Sequence, residues 1–194
     1  MQRTHVVLAL PTIRQALGSL SGVQMTDLFD DHVSSQDAPK KRDWKLVHLV
    51  GELNPYGADP SYALYPEPRG ASGHRLREFV LGVSTSVYMS DRVFTRRNLC
   101  VAHWSRVVAR AAAERLVDEL IVGDVIVALG RRVTMSFTQQ PRPFERLPII
   151  SRGATIVSLP HPSGMCREWN DPRAALRARD LLRSVAPSVP WGTV

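Results

Sequence analysis

Three short apolar runs, each stopping at a turn-forming residue, decide what this chain can fold into. Residues 45–51 read KLVHLVG, residues 124–130 read DVIVALG and residues 154–160 read ATIVSLP. They are compact and mainly apolar rather than strictly alternating, as in strands buried on both faces. Residues 92–100, RVFTRRNLC, read as a further strand of more polar character. Helical stretches separate these runs. Residues 74–81 look helical, and residues 101–120 carry apolar positions at Val107, Val108, Ala111, Leu116 and Leu120. A short helix is expected after residue 130. Residues 171–185 close the pattern, with Asp171 as N-cap and Pro172 at the first helical position. Strands alternating with helices predict an α/β fold: a three-layer α/β/α sandwich with a short, mainly parallel central sheet. Ligands of such sheets bind beyond the carboxyl ends of the strands.

The 194 residues suit one domain, with residues 1–43 as an N-terminal arm or short helices and residues 44–185 as the core. An excess of 25 Lys and Arg over 18 Asp and Glu leaves a formal charge of +7. Such an excess suits a polyanionic partner, through neutralised phosphates and released counterions. Two cysteines, Cys100 and Cys166, are too few for a disulfide framework or a four-thiolate metal cluster, so free thiols in a reducing cytoplasm are expected. The first apolar run, from Val6 to Leu10, meets Pro11 after five residues, too soon for a secretory core or a membrane span.

Two loops begin where buried strands stop. The first is Gly51-Glu-Leu-Asn-Pro-Tyr-Gly57 and the second is Leu159-Pro-His-Pro-Ser-Gly-Met-Cys-Arg-Glu-Trp-Asn170. Taken singly, each is a good turn former, and a lone histidine beside a strand is more often structural than catalytic. The first opens a long irregular stretch, residues 51–73, rich in Pro, Gly and Tyr, and loops of that length in a compact domain usually carry function.

In this order and at these strand ends, the two loops resemble the active-site motifs of the uracil-DNA glycosylase superfamily. Leu53-Asn54-Pro55-Tyr56 is similar to the family's first motif, whose Asp or Asn positions the attacking water. His161-Pro162-Ser163-Gly164-Met165 is similar to its second, whose histidine stabilises the departing base and whose following residues form the DNA wedge. Phe94-Thr-Arg-Arg-Asn98-Leu-Cys100 resembles the strand whose Asn reads the base edge, and residues 125–133 resemble a core strand and turn. The resemblance spans roughly residues 44–185. It implies a glycosylase fold, a DNA partner with an extruded nucleotide, a monomer, no membrane, no metal and no cofactor. The site residues it implies are Asn54 and His161 for catalysis and Tyr56, Tyr65 and Asn98 for the base. Ser163, Gly164, Met165 and Arg167 are implied for DNA.

The chemistry asks for these residue types. Cleaving an N-glycosidic bond builds positive charge on the sugar and negative charge on the base. A polar group must hold water under the anomeric carbon, and a buried donor must meet the growing oxyanion. A neutral imidazole with one N–H suffices for the second task. Met165 would fill the space left by the extruded base. Tyr65, by its distance after Asn54, is the expected stacking platform, with Tyr62 as a neighbour. Arg69, Arg75, Arg96, Arg97 and Arg167 are expected around the cleft.

The sequence departs from the family pattern in three places. Asn54 stands where Asp would serve, and an amide cannot take a proton, so Glu52 or Asp59 is left to assist. The iron–sulfur branches need four cysteines. The basic loop of the branch that traps uracil covalently is not evident. The expected substrate is therefore uracil or a modified pyrimidine, with hydroxymethylated or glucosylated cytosine of phage DNA, and hence antiviral defence, as the sharper form. A glycosylase-like module that grips modified or damaged DNA without cutting it is the second reading. A basic α/β protein with no nucleic-acid role is the third.

Overall fold

The computed structural model describes residues 44–54, 59–147 and 153–192, which belong to one unit, Arg42–Val194. The arm expected over residues 1–43 and the Pro55-Tyr56 step lie outside the described residues. Five strands form one sheet: β1 (Val47–Gly51), β2 (Phe94–Asn98), β3 (Val125–Leu129), β4 (Glu145–Leu147) and β5 (Thr155–Leu159). Their spatial order is β2-β1-β3-β5-β4, with every pair parallel except β4 against β5.

Both faces of the central strands are apolar, and successive side chains divide between them as the two-residue pleat requires. Val47, Leu49, Val125, Val127, Leu129, Val157 and Leu159 enter one core. Val50, Ile126, Ala128 and Ile156 enter the other. On the first face lie α1 (Ser72–Arg75), which runs straight into a π-helical segment, Leu76–Leu81, then α2 (Thr85–Tyr88) and α5 (Ala174–Val185). On the second lie α3 (Arg106–Glu119) and α4 (Arg131–Phe137). The result is three layers.

Three local expectations are corrected. The edge strand β4 is absent from the sequence reading, because Glu-Arg-Leu carries no apolar run and is paired on one side only. In α3 the buried residues are Ala109, Ala113 and Leu116, while Val107 and Val108 are exposed. Alanine lets that helix approach the sheet closely, and its stripe is set one residue away from the valines. The last helix starts at Ala174, not at Pro172. Asp171 caps the preceding turn, its carboxylate accepting the Arg173 N–H at 2.9 Å. The packed core also passes residue 185, since Trp191 is buried against Phe94 with ring centroids 5.8 Å apart.

At the amino edge of the sheet a polar network is built on the buried His48 and Asp124. Asp124 accepts the backbone N–H of Leu46 at Oδ1 (2.9 Å) and that of Ile121 at Oδ2 (3.1 Å), and His48 Nε2 lies 3.3 Å from the same Oδ2. His48 Nδ1 meets Thr95 Oγ1 at 2.8 Å, so three strands are tied at this end. The opposite, carboxyl edge is left to the long loops. There the order of strands reverses between β1 and β3, the place where such sheets open a crevice.

Candidate active site

A cleft of about 320 Å3 opens at that edge, within the range of about 300–1,000 Å3 of small-molecule sites. Its walls come from the ends of β1 (Glu52, Leu53), β2 (Asn98) and β5 (His161), from Tyr62, Leu64 and Tyr65, and from the first turn of α1.

Asn98 closes the floor. It is the last residue of β2 and pairs in register with Gly51, the last of β1. Its Nδ2 and Oδ1 are both buried, and neither has a hydrogen-bond partner among the described residues. An enclosed amide with nothing to bond costs free energy, which makes this position a candidate for meeting a ligand. Gly51 makes the position possible, because a Cβ there would fall 2.4 Å from Asn98 Oδ1.

His161 stands on the wall, two residues past β5, half-buried. The backbone N–H of Ser163 donates to its Nδ1 at 3.2 Å. An acceptor Nδ1 places the ring proton on Nε2, so the neutral imidazole is a donor. Burial lowers its pKa, with the Glu52 charge acting weakly the other way. Gly130 makes room beside it: its φ is +94°, and a Cβ there would come within 3.1 Å of His161 Cβ. The same Gly130 donates its N–H to Leu159 at 2.8 Å, holding the ends of β3 and β5 together.

The loop after His161 is anchored from behind and bare in front. Trp169 is buried and its indole N–H donates to the His161 carbonyl at 2.8 Å. Arg75 Nε, from α1, donates to the Pro162 carbonyl at 3.1 Å. Between these ties Met165 is 92% exposed. Gly164 and Arg167 are exposed beside it, and Ser163 is half-buried with its N–H given to His161. The Cys166 thiol bonds to Glu168 at 2.9 Å, and burial with that carboxylate pushes its pKa up to about 11, which keeps it protonated.

The tyrosine loop is held in the same manner. Tyr88 is fully buried and donates its hydroxyl to the Leu64 carbonyl at 2.7 Å. Tyr65 lines the cleft and meets Tyr62 edge-on, with centroids 5.6 Å apart. Tyr56 lies outside the described residues.

Asn54, the residue expected to hold the water, bonds within its own loop. Glu52 and Leu53 line the cleft, and Asn54, the next residue, donates through Nδ2 to the Asp59 carbonyl at 2.5 Å. Asp59 itself is committed to its own turn, where its carboxylate accepts the Ser61 N–H at 2.8 Å, and its pKa is lowered by the Ser61 side chain first and by that backbone bond second. Glu52 is the acidic residue on the cleft wall, and Arg132 of α4 holds it at 2.7 Å. Sequence reasoning did not find Arg132, because nothing local links it to a residue 80 positions away.

The five arginines expected around the cleft separate. Arg96 and Arg97 leave β2 on opposite faces. Arg96 donates to the Tyr88 carbonyl, and Arg97 pairs with Glu119 of α3. Arg75 and Arg69 stand together on the outer side of α1. Among the described residues no three His, Cys, Asp or Glu side chains come together as a metal site. None of the described helices is long and apolar enough to cross a membrane. No family model matches this chain, and no curated protein shows significant similarity to it.

Proposed function

We propose that this chain is a monofunctional DNA glycosylase, a cytoplasmic monomer that extrudes a uracil-like or modified pyrimidine and hydrolyses its N-glycosidic bond. The observation that carries this reading is the pairing, in one cleft, of the buried, unpartnered Asn98 amide with a neutral His161. An amide offers one donor and one acceptor, which suits the edge of a pyrimidine. His161 Nε2–H is the donor for the oxyanion that grows on the leaving base, a contribution typically worth about 3–4 kcal/mol. The C–N bond breaks with its electron pair moving into the base, and water adds to the sugar cation, leaving an abasic site. Glu52 is the carboxylate suited to orient that water and take its proton, since Asp59 caps its own turn and Asn54 steadies the loop. Met165 fills the stack from its bare position on the loop tip.

The cleft, floored by Asn98 and flanked by Tyr62 and Tyr65, has room for a base with a substituent, which favours hydroxymethylated or glucosylated cytosine of phage DNA and a role in antiviral defence. The test is incubation with duplexes containing uracil, hydroxymethylcytosine or glucosylated hydroxymethylcytosine, then alkali. Strand breaks at the modified position support the reading, and intact strands on all three overturn it. The tie of Asn54 to Asp59 favours a second reading, a module that binds such DNA without cutting. Tight binding with no abasic product would establish that one.

A further inference from the structure

A second concave surface adjoins the cleft across α1. The inner side of that helix, at Ser72 and Gly73, lines the cleft. Its outer side, continued into the π-helical segment, faces a basin of about 470 Å3 with Arg69, Arg75, Arg179 and Phe79 on its walls. Arg75 belongs to both neighbourhoods: it holds the Pro162 carbonyl of the Met165 loop, and its guanidinium lies 5.7 Å from the Phe79 ring centroid. A Cβ on Gly164 would stand 4.0 Å from the same guanidinium.

The charge in the basin is positive. Arg179 is fixed by donating to the carbonyls of Phe79 (2.7 Å) and Val80 (3.0 Å), and Arg69 is exposed on the loop before α1. The acidic group that faces the basin, Glu78, is bonded to His74 at 2.9 Å and lies 3.8 Å from Arg77. Phe79 is 40% exposed, so an apolar surface lies beside three guanidinium groups. Arginine beside an exposed aromatic ring suits a nucleotide, with its phosphate on the charge and the face of its base on the ring.

Resting on the glycosylase reading, we infer that this basin is an anion site apart from the cleft, which takes a phosphodiester of the strand that carries the extruded nucleotide. The adjoining nucleotide lies against Phe79. The shared wall of α1 then couples the grip on the flank to the position of the Met165 loop, because Arg75 touches both. A free anion would find the same charge, but the continuity of the basin with the loop favours a strand running from one to the other.

The experiment uses the full chain and a duplex bearing one abasic site, with binding followed by fluorescence anisotropy over a range of salt. Neutralising one contact should flatten the slope of log K against log salt by about 0.9. Arg69→Ala is expected to show that loss and Arg69→Lys to restore it. Replacing flanking phosphates one at a time with uncharged methylphosphonates should reveal a position that weakens the wild type and leaves Arg69→Ala unaffected. Equal slopes for wild type and Arg69→Ala, or no position whose effect depends on Arg69, would overturn the inference while leaving cleavage intact. A wild type that fails to bind any duplex would overturn the glycosylase reading and this site with it.

Discussion

The side chain of Asn98 occupies the space that a side chain on Gly51 would need. The two residues end adjacent parallel strands in register, and a Cβ on Gly51 would meet Asn98 Oδ1 at 2.4 Å. Gly51→Ala should therefore swing the amide away rather than unfold the sheet, since the atom struck is the end of a movable side chain. Cleavage is expected to fall by on the order of 10²-fold, as for loss of one preorganised contact. A midpoint of thermal unfolding that drops along with activity would place the effect on the fold instead.

Removing the orphan amide should separate stability from function. Asn98→Ala deletes two buried polar atoms that lack partners, so thermal stability should hold or rise while base release drops by about 10²-fold or more. Calorimetry beside a single-turnover cleavage assay checks both halves. A clear loss of stability would mean that the amide has a structural bond in the free protein.

His161 should work as a neutral donor. Burial holds its pKa below the ordinary value of about 6.5, so between those two values the unfolded chain binds more protons than the folded one. Its contribution to stability is complete above about 6.5 and is lost as pH falls toward the folded-state value. Protonation also sets an Nδ1–H against the Ser163 N–H, so activity should fall over the same low range and stay level above it. Denaturant titrations at several pH values, with His161→Asn as reference, test the sign. Stability that instead declines as pH rises through this range would refute it.

Glu52→Gln removes the charge that works against the effect of burial on His161. The acid limb of the rate profile should move to lower pH, and the plateau should fall by roughly 10²-fold if the carboxylate takes the water proton. An unchanged plateau would leave Glu52 with an electrostatic role through His161 alone.

Met165→Ala should leave folding untouched, because the side chain is 92% exposed. Opening a stack costs a few kcal/mol per step, so duplex cleavage should fall on the order of tenfold or more while single-stranded cleavage changes little. The comparison of the two substrates is the measurement, and equal effects would remove the wedge assignment.

At the other end of the sheet, Asp124→Ala should orphan the N–H groups of Leu46 and Ile121 and cost about 3 kcal/mol of stability by urea unfolding. The cleft lies at the opposite edge, so cleavage per folded molecule should be unchanged.

Four of the five strands, and the layer they share, were legible in local pattern, while the edge strand β4 was not. The runs at β1, β3 and β5 set apolar residues on both faces, interrupted only at His48, Thr155 and Ser158, and such strands lie between two covering layers. The sequence by itself also placed His161 and the loop after β1 at strand ends, because a buried strand must stop where Pro, Gly and polar residues begin. Tertiary structure decided what those positions do. Asn98 becomes an unpaired amide only because β2 lies beside β1 in a register that sets it against Gly51, and Arg132 reaches Glu52 only once β3 stands next to β1. The same holds for the failures: Val107 and Val108 are as apolar as the alanines of α3, and only the approach of the helix to the sheet chose which would be buried. Local pattern records which residues avoid water, whereas pairing and packing between distant segments set which polar atoms are left to meet a ligand.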